Sequence, residues 1–155
     1  QYLIRAIELA QKSIEAGGFP AGALIVKDGK IVAEGISVGS KQNDPTGHAE
    51  TSAIRAACQK LGTSNLSGAI MYESLQSCMM CFSVAYWTGI SKIVYACSKT
   101  PDMVGKMYYE GQTNTNEVNK SNNRQIELIH AKEFETQSLQ VIKKWEQQGG
   151  FSKTI

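Results

Sequence analysis

The sequence predicts an α/β fold in which a mixed sheet carries helices on both faces. Three observations predict it. Apolar runs of strand length alternate with longer stretches of helical periodicity, the first two runs are joined by an Asp-Gly turn, and the composition is that of a globular domain. Hydrophobic residues make up 42% and charged residues 19% of the 155 positions, enough to build a core without disulfides.

The elements follow in order. Residues 2–16 place Leu3, Ile7, Ala10 and Ile14 at helical spacing, and Gly17-Gly18 stops the run. Strands are expected near 22–27 and 30–37, with Asp28-Gly29 as the hairpin turn between them. Residues 39–46 read as a polar loop, after which Pro45 and Thr46 introduce a helix over 48–62, closed by Gly62. Residues 68–74 read as a short buried strand, 78–89 as a helix ending at Gly89, and 91–98 as a further strand. The stretch 100–125 is polar and Asn-rich with little periodicity, and reads as a loop. A last strand over 125–131 and a last helix near 132–148, burying Phe134, Leu139, Ile142 and Trp145, complete an α-β-β-α-β-α-β-loop-β-α order. No repeat or linker divides residues 1–155, so a single domain is expected.

The bulk numbers exclude several classes. A formal net charge of +2 demands no polyanionic partner, and no run of eighteen apolar residues exists to span a membrane. No secretory signal is read at the N-terminus, so a reducing, cytoplasmic location is expected, where closely spaced cysteines point to metal or redox chemistry. Of the four cysteines only Cys78 and Cys81 have that spacing. Cys58 and Cys97 read as small packed hydrophobes, and His130 as a surface or core residue rather than a ligand.

Chemistry concentrates in His48-Ala49-Glu50 and Cys78-Met79-Met80-Cys81, each at the first turn of an expected helix. Cysteines at i and i+3 share one helix face, so both thiolates can address one ion. The helix dipole and the metal both favour the thiolate form. One imidazole and two thiolates leave the fourth tetrahedral position open, which marks a catalytic zinc rather than a structural one. Glu50 is near enough to move protons at that open position without binding the metal. Alone, either half has a plain reading, a structural or redox C-x-x-C or a chance H-x-E; together they specify a catalytic zinc site.

This arrangement resembles the cytidine and deoxycytidylate deaminase superfamily, whose signature is H-x-E followed by P-C-x-x-C. The likeness runs through residues 1–100, in PAGALIVKDGKIVAEG, NDPTGHAETSAIRAAC and CMMCFSVAYWTGISKIVYA, and looks like the branch of bacterial guanine deaminases and tRNA adenosine deaminases. Trp145 in a final helix looks more like the guanine enzymes. The resemblance implies a three-layer α/β/α fold around a five-stranded mixed sheet, one Zn²⁺ per subunit held by His48, Cys78 and Cys81, and Glu50 as the catalytic proton carrier. It also implies a homodimer, with a C-terminal segment that crosses to the partner and helps close its active site.

Four positions depart from the family pattern. Ser77 stands where proline usually precedes the first cysteine, and Gln76 where that motif has glutamate. The aromatic usually placed after Pro20 is Ala21, and Glu34-Gly35 is followed by Ile36 and Ser37 where the branch carries a base-contacting asparagine at the second position. No zinc ligand or proton carrier is lost, so the departures bear on substrate. A serine has shorter reach than asparagine and lacks its carboxamide geometry.

The expected reaction is hydrolysis of guanine to xanthine and ammonia. A tRNA adenosine or a cytosine or nucleoside substrate is the alternative, and an inactive zinc-binding partner module the reading from another class. Ser37, Ala49, Trp87 and Asp102 are the expected substrate contacts, with Tyr86 and Phe151 as further candidates. The plainer readings place Tyr86 and Trp87 in a helix core and Asp102 in a solvated turn. Against tRNA, Lys106, Lys120 and Arg124 are diluted by Glu110 and Glu117, and Lys143-Lys144 lie beside Glu146. Against the inactive module, Glu50 is present.

Overall fold

The computed structural model describes residues 1–153. Five strands form one sheet in the order β2-β1-β3-β4-β5, with β1 at Gly22–Lys27, β2 at Lys30–Ile36, β3 at Ile70–Leu75, β4 at Lys92–Cys97 and β5 at Glu127–His130. β1 pairs antiparallel with both β2 and β3, while β3, β4 and β5 run parallel, so the sheet is mixed. The hairpin turns where the sequence places it: Asp28 at φ 50° and Gly29 at φ 71° are both left-handed, as a two-residue turn matched to strand twist requires.

The period-2 alternation of the strands supplies two cores. Along β1, Ala23 and Ile25 join one cluster with Ala49, Ala53 and Phe82, whereas Leu24 and Val26 join another with Ala6 and Leu9. The first cluster lies under α3 (Ala49–Leu61) and α4 (Met79–Trp87), and the second under α1 (Tyr2–Glu15). Between them these layers give the three-tier α/β/α arrangement.

Two strand glycines set how closely the helices sit. A Cβ on Gly22 would fall 2.3 Å from Ala6 O in α1, and one on Gly35 would fall 2.1 Å from Ala49 O at the start of α3. Gly35 therefore lets the first turn of α3 press onto β2.

Between β2 and α3 lies a single turn of helix, α2 (Gly39–Gln42). The stretch after β4, expected as a loop, contains α5 (Pro101–Gly105) and α6 (Thr115–Ser121), each started by a side-chain cap, from Thr100 and Asn114. These helices are shorter than the window over which apolar periodicity can be read, so capping rather than amphipathicity defines them. The last helix begins as a 3-10 turn at Lys132–Phe134 and continues as α7 (Glu135–Gln147). Ile142 and Trp145 are buried there as expected, while Phe134 and Leu139 are half-buried; a 3-10 turn at Gly150–Lys153 follows. No helix among the described residues is long and apolar enough to cross a membrane.

Candidate active site

Two helix starts meet at one point. His48 is the N-cap of α3 and Cys78 the N-cap of α4, both in extended backbone. His48 Nδ1 lies 3.5 Å from the Sγ of Cys78 and 3.5 Å from that of Cys81, and the two sulfurs are 3.5 Å apart. A tetrahedral zinc with bonds of about 2.3 Å to sulfur and 2.0–2.1 Å to nitrogen requires ligand separations of about 3.5–3.8 Å. The triangle has one face of that tetrahedron, so the donors fit zinc in both chemistry and size.

Glu50, one residue into α3 from Ala49, is 6% exposed and places Oε2 3.4 Å from Cys81 Sγ. Burial, and then the negative charge of Cys78, push its carboxyl up to about 7 in the metal-free chain. Cys78 is pulled down to about 5 by the Cys81 thiol beside it and by His48, while Cys81 rises. The pair thus shares a proton that a bound cation displaces. The Cys78 contact in turn raises His48.

The ligands open into a cavity of about 480 Å³, within the range of small-molecule sites. Ser37, Ala49 and Glu50 line it, as does Phe151 from the final turn. Its acidic groups are Asp44, Glu50 and Glu110, and no Lys or Arg among the described residues lines it. Phe151 stacks on Phe19 at 5.9 Å between centroids and meets Trp145 edge-on at 5.0 Å, so this turn walls the cavity.

Two expected contacts are placed elsewhere. Trp87 is 82% exposed at the far end of α4, nine residues of helix from Cys78, or roughly 13 Å at the usual rise. Its neighbour Tyr86 stacks under the Arg124 guanidinium at 4.8 Å, also outside the cavity. Asp102 faces solvent in the first turn of α5 and pairs with Lys106 at 2.9 Å, which accords with the solvated-turn reading.

Sequence reasoning missed Phe19 and Asp44 in the lining, and a cluster in the 100–125 stretch expected as a loop. Met107, Tyr108, Tyr109 and Glu110 all line the cavity. Glu110 Oε1 accepts from Met79 N at 2.6 Å, which ties the stretch to the first turn of α4. Tyr109, 8% exposed, donates to Gln76 O at 2.7 Å. Gln76 itself accepts from Lys99 N at 2.9 Å and donates to Thr115 Oγ1 at 2.9 Å. The paired tyrosines in an Asn-rich run were the available signal. Cys97 and His130 lie apart from the ligands; burial pushes the Cys97 thiol up to about 12, which leaves it inert.

Fold and site together define a metal-centre protein of the catalytic kind: three ligands, an open fourth position and a buried carboxylate beside it. The comparisons with known proteins name its kin. The family model for the cytidine and deoxycytidylate deaminase zinc-binding region matches residues 1–97, and the chain belongs to that family. The guanine deaminase of Bacillus subtilis is 46% identical over 100 residues, 64% of either chain. The tRNA-specific adenosine deaminase of Aquifex aeolicus is 35% identical over 97 residues, 62% of this chain and 64% of that one. The matched stretch thus spans less than two thirds of these relatives' length.

The solved Bacillus subtilis guanine deaminase superposes with a TM-score of 0.65 at 34% identity, covering 94% of this chain and 92% of that one. The Nitrosomonas europaea guanine deaminase superposes at 0.83 with 22% identity, over 94% and 83%, a likeness of fold.

Proposed function

We propose that the chain is a hydrolytic deaminase of an unphosphorylated purine base, with guanine converted to xanthine and ammonia as the favoured reaction. The observation that carries this reading is a metal-ligand triangle and a buried carboxylate at one wall of a cavity lined by aromatic and acidic groups and by no Lys or Arg among the described residues. A flat, neutral, amino-bearing ring suits such walls; a phosphate does not, because nothing in the lining neutralises it.

His48, Cys78 and Cys81 would hold the zinc, which when bound would acidify a water enough for attack near neutral pH. Glu50 is placed to take a proton from the attacking water as it adds to the amino-bearing carbon and to pass it to the adjacent ring nitrogen. It then takes the proton of the added hydroxyl and passes it to the departing amino group, so that one water is consumed and one ammonia leaves. Its burial keeps bulk water from taking over the transfer. Phe19, Tyr108 and Phe151 offer faces to the ring, and Ser37 offers a short hydroxyl at its edge.

Adenosine in tRNA is the second reading, favoured by the Aquifex relative. Two of the basic groups in the 100–125 stretch argue against it, because Lys106 is held between Asp102 and Glu146, and Arg124 is turned onto Ile90 O and Tyr86 O. A homodimeric, cytoplasmic enzyme completes the proposal, and light scattering of the purified protein tests the first of these.

The deciding experiment is ammonia release by the zinc-loaded protein from guanine, guanosine, adenosine, cytosine, cytidine and an adenosine-containing anticodon stem-loop. Turnover of guanine above the rest is expected. Turnover of the stem-loop alone would overturn the small-molecule reading, and silence across the panel would overturn the purine reading altogether.

A further inference from the structure

A carboxyl group sits where the sheet should be apolar. Along β3, Met71, Glu73 and Leu75 alternate onto the face covered by α3 and α4, and Met71 and Leu75 belong to the core there. Glu73 is 1% exposed, and in register it lies between Ala23 of β1 and Tyr95 of β4. A buried carboxyl is unfavourable unless its oxygens are hydrogen-bonded.

Both oxygens go to one residue. Ser77 N donates to Glu73 Oε1 at 2.7 Å, and Ser77 Oγ donates to Glu73 Oε2 at 2.5 Å. Ser77 is itself 2% exposed, and the next residue is Cys78, the metal ligand that caps α4. The motif's usual proline at position 77 could not make this clamp, because it has neither a backbone N–H nor a hydroxyl. A serine there frees the backbone, and the carboxyl pins it again through two contacts.

We propose that Glu73 is a positioning residue for the zinc site: through Ser77 it fixes the backbone from which Cys78 presents its sulfur. The hydrogen bonds of its carboxyl go to Ser77, and it is not among the residues that line the cavity. It acts as the partners beyond the ligands do in metal sites generally, by holding a ligand's orientation before the metal arrives. The inference rests on His48, Cys78 and Cys81 being the zinc ligands and is independent of which base is deaminated.

The test measures metal and not turnover, so its outcome is separable from that of the substrate panel. Zinc affinity is read by chelator competition, and ligand geometry by the sulfur-to-metal absorption of the cobalt-substituted protein. Glu73→Leu, which removes both acceptors at similar size, is expected to weaken zinc by about 10–100-fold and to shift the cobalt spectrum. Glu73→Gln keeps an oxygen for Ser77 N and an amide that Ser77 Oγ can accept, and is expected to recover most of the affinity. Ser138→Ala is the structural control, since Ser138 Oγ of α7 donates to Ser74 O of β3 at 2.6 Å, a contact equally buried but made to the strand's backbone and not to Ser77. It should lower the melting temperature and leave zinc affinity alone. Parental affinity and spectrum in Glu73→Leu would overturn the proposal, as would an equal loss in Ser138→Ala. Should Glu73→Leu fail to fold, Ser77→Ala removes one contact, and parental affinity in that variant would overturn it equally.

Discussion

The stretch through residue 97 and the stretch after it do different work in the same cavity. The first supplies His48, Glu50, Cys78 and Cys81, all on first turns of helices braced by the sheet. The second supplies Tyr108, Tyr109, Glu110 and Phe151, held by side-chain ties rather than by regular structure. The family model ends where that change occurs. The difference teaches that the metal ligands and the carboxylate beside them are fixed by rigid elements, whereas the part of the wall added after residue 97 is attached to them at a few points.

The largest expected effect breaks the comparison from the first side. Glu50→Gln should lower kcat by about 10²–10⁴-fold while zinc content, measured by metal analysis, and KM stay near parental. Full activity in that variant would remove Glu50 from the chemistry. From the second side, Phe151→Ala should raise KM roughly tenfold, about 1.4 kcal/mol of binding, with kcat and zinc affinity little changed. An equal fall in kcat would mean that the two stretches are not separable. Tyr109→Phe tests the attachment itself. It leaves Gln76 O without its 2.7 Å donor and should cost about 0.5–1.5 kcal/mol, read as a lower urea midpoint with unchanged zinc binding.

The smallest effect lies on the first stretch but far from the site. Arg5 reaches Glu34 at 2.6 and 2.8 Å, and this contact lowers the Glu34 carboxyl below its ordinary value. A carboxyl lowered on folding stabilises the protein above its unfolded value and loses that contribution as pH falls through the folded one. The pair is partly exposed, so Glu34→Gln should cost less than about 1 kcal/mol near pH 7. The gap between variant and parent should close below about pH 4, in thermal melts taken across the acid range.

What could be read from the sequence divides along the same line. Five strands and the main helices were legible because their apolar periods are long enough to count, and Asp28-Gly29 announced its own turn. His48, Cys78 and Cys81 were legible because ligation demands particular residue types at particular spacings, and Glu50 because it stands two residues from His48. Trp87 and Asp102 were singled out as contacts because aromatic and acidic residues near a motif have the right chemistry. Their placement depends on helix direction and on the Lys106 pair, which no local pattern encodes. Glu110 and Tyr108 were passed over for the converse reason, since one-turn helices and side-chain ties leave no periodicity.

The two N-caps have a consequence for the life of the chain. Neither His48 nor Cys78 makes a side-chain capping hydrogen bond, though a serine or aspartate at such a position is usually worth about 1 kcal/mol. Both positions are given over to ligation, but α4 keeps the Glu110 carboxylate on Met79 N, whereas α3 has no such substitute among the described residues. Proteolysis of metal-stripped protein should therefore begin at the start of α3, and metal loading should lengthen the survival of the chain against a protease.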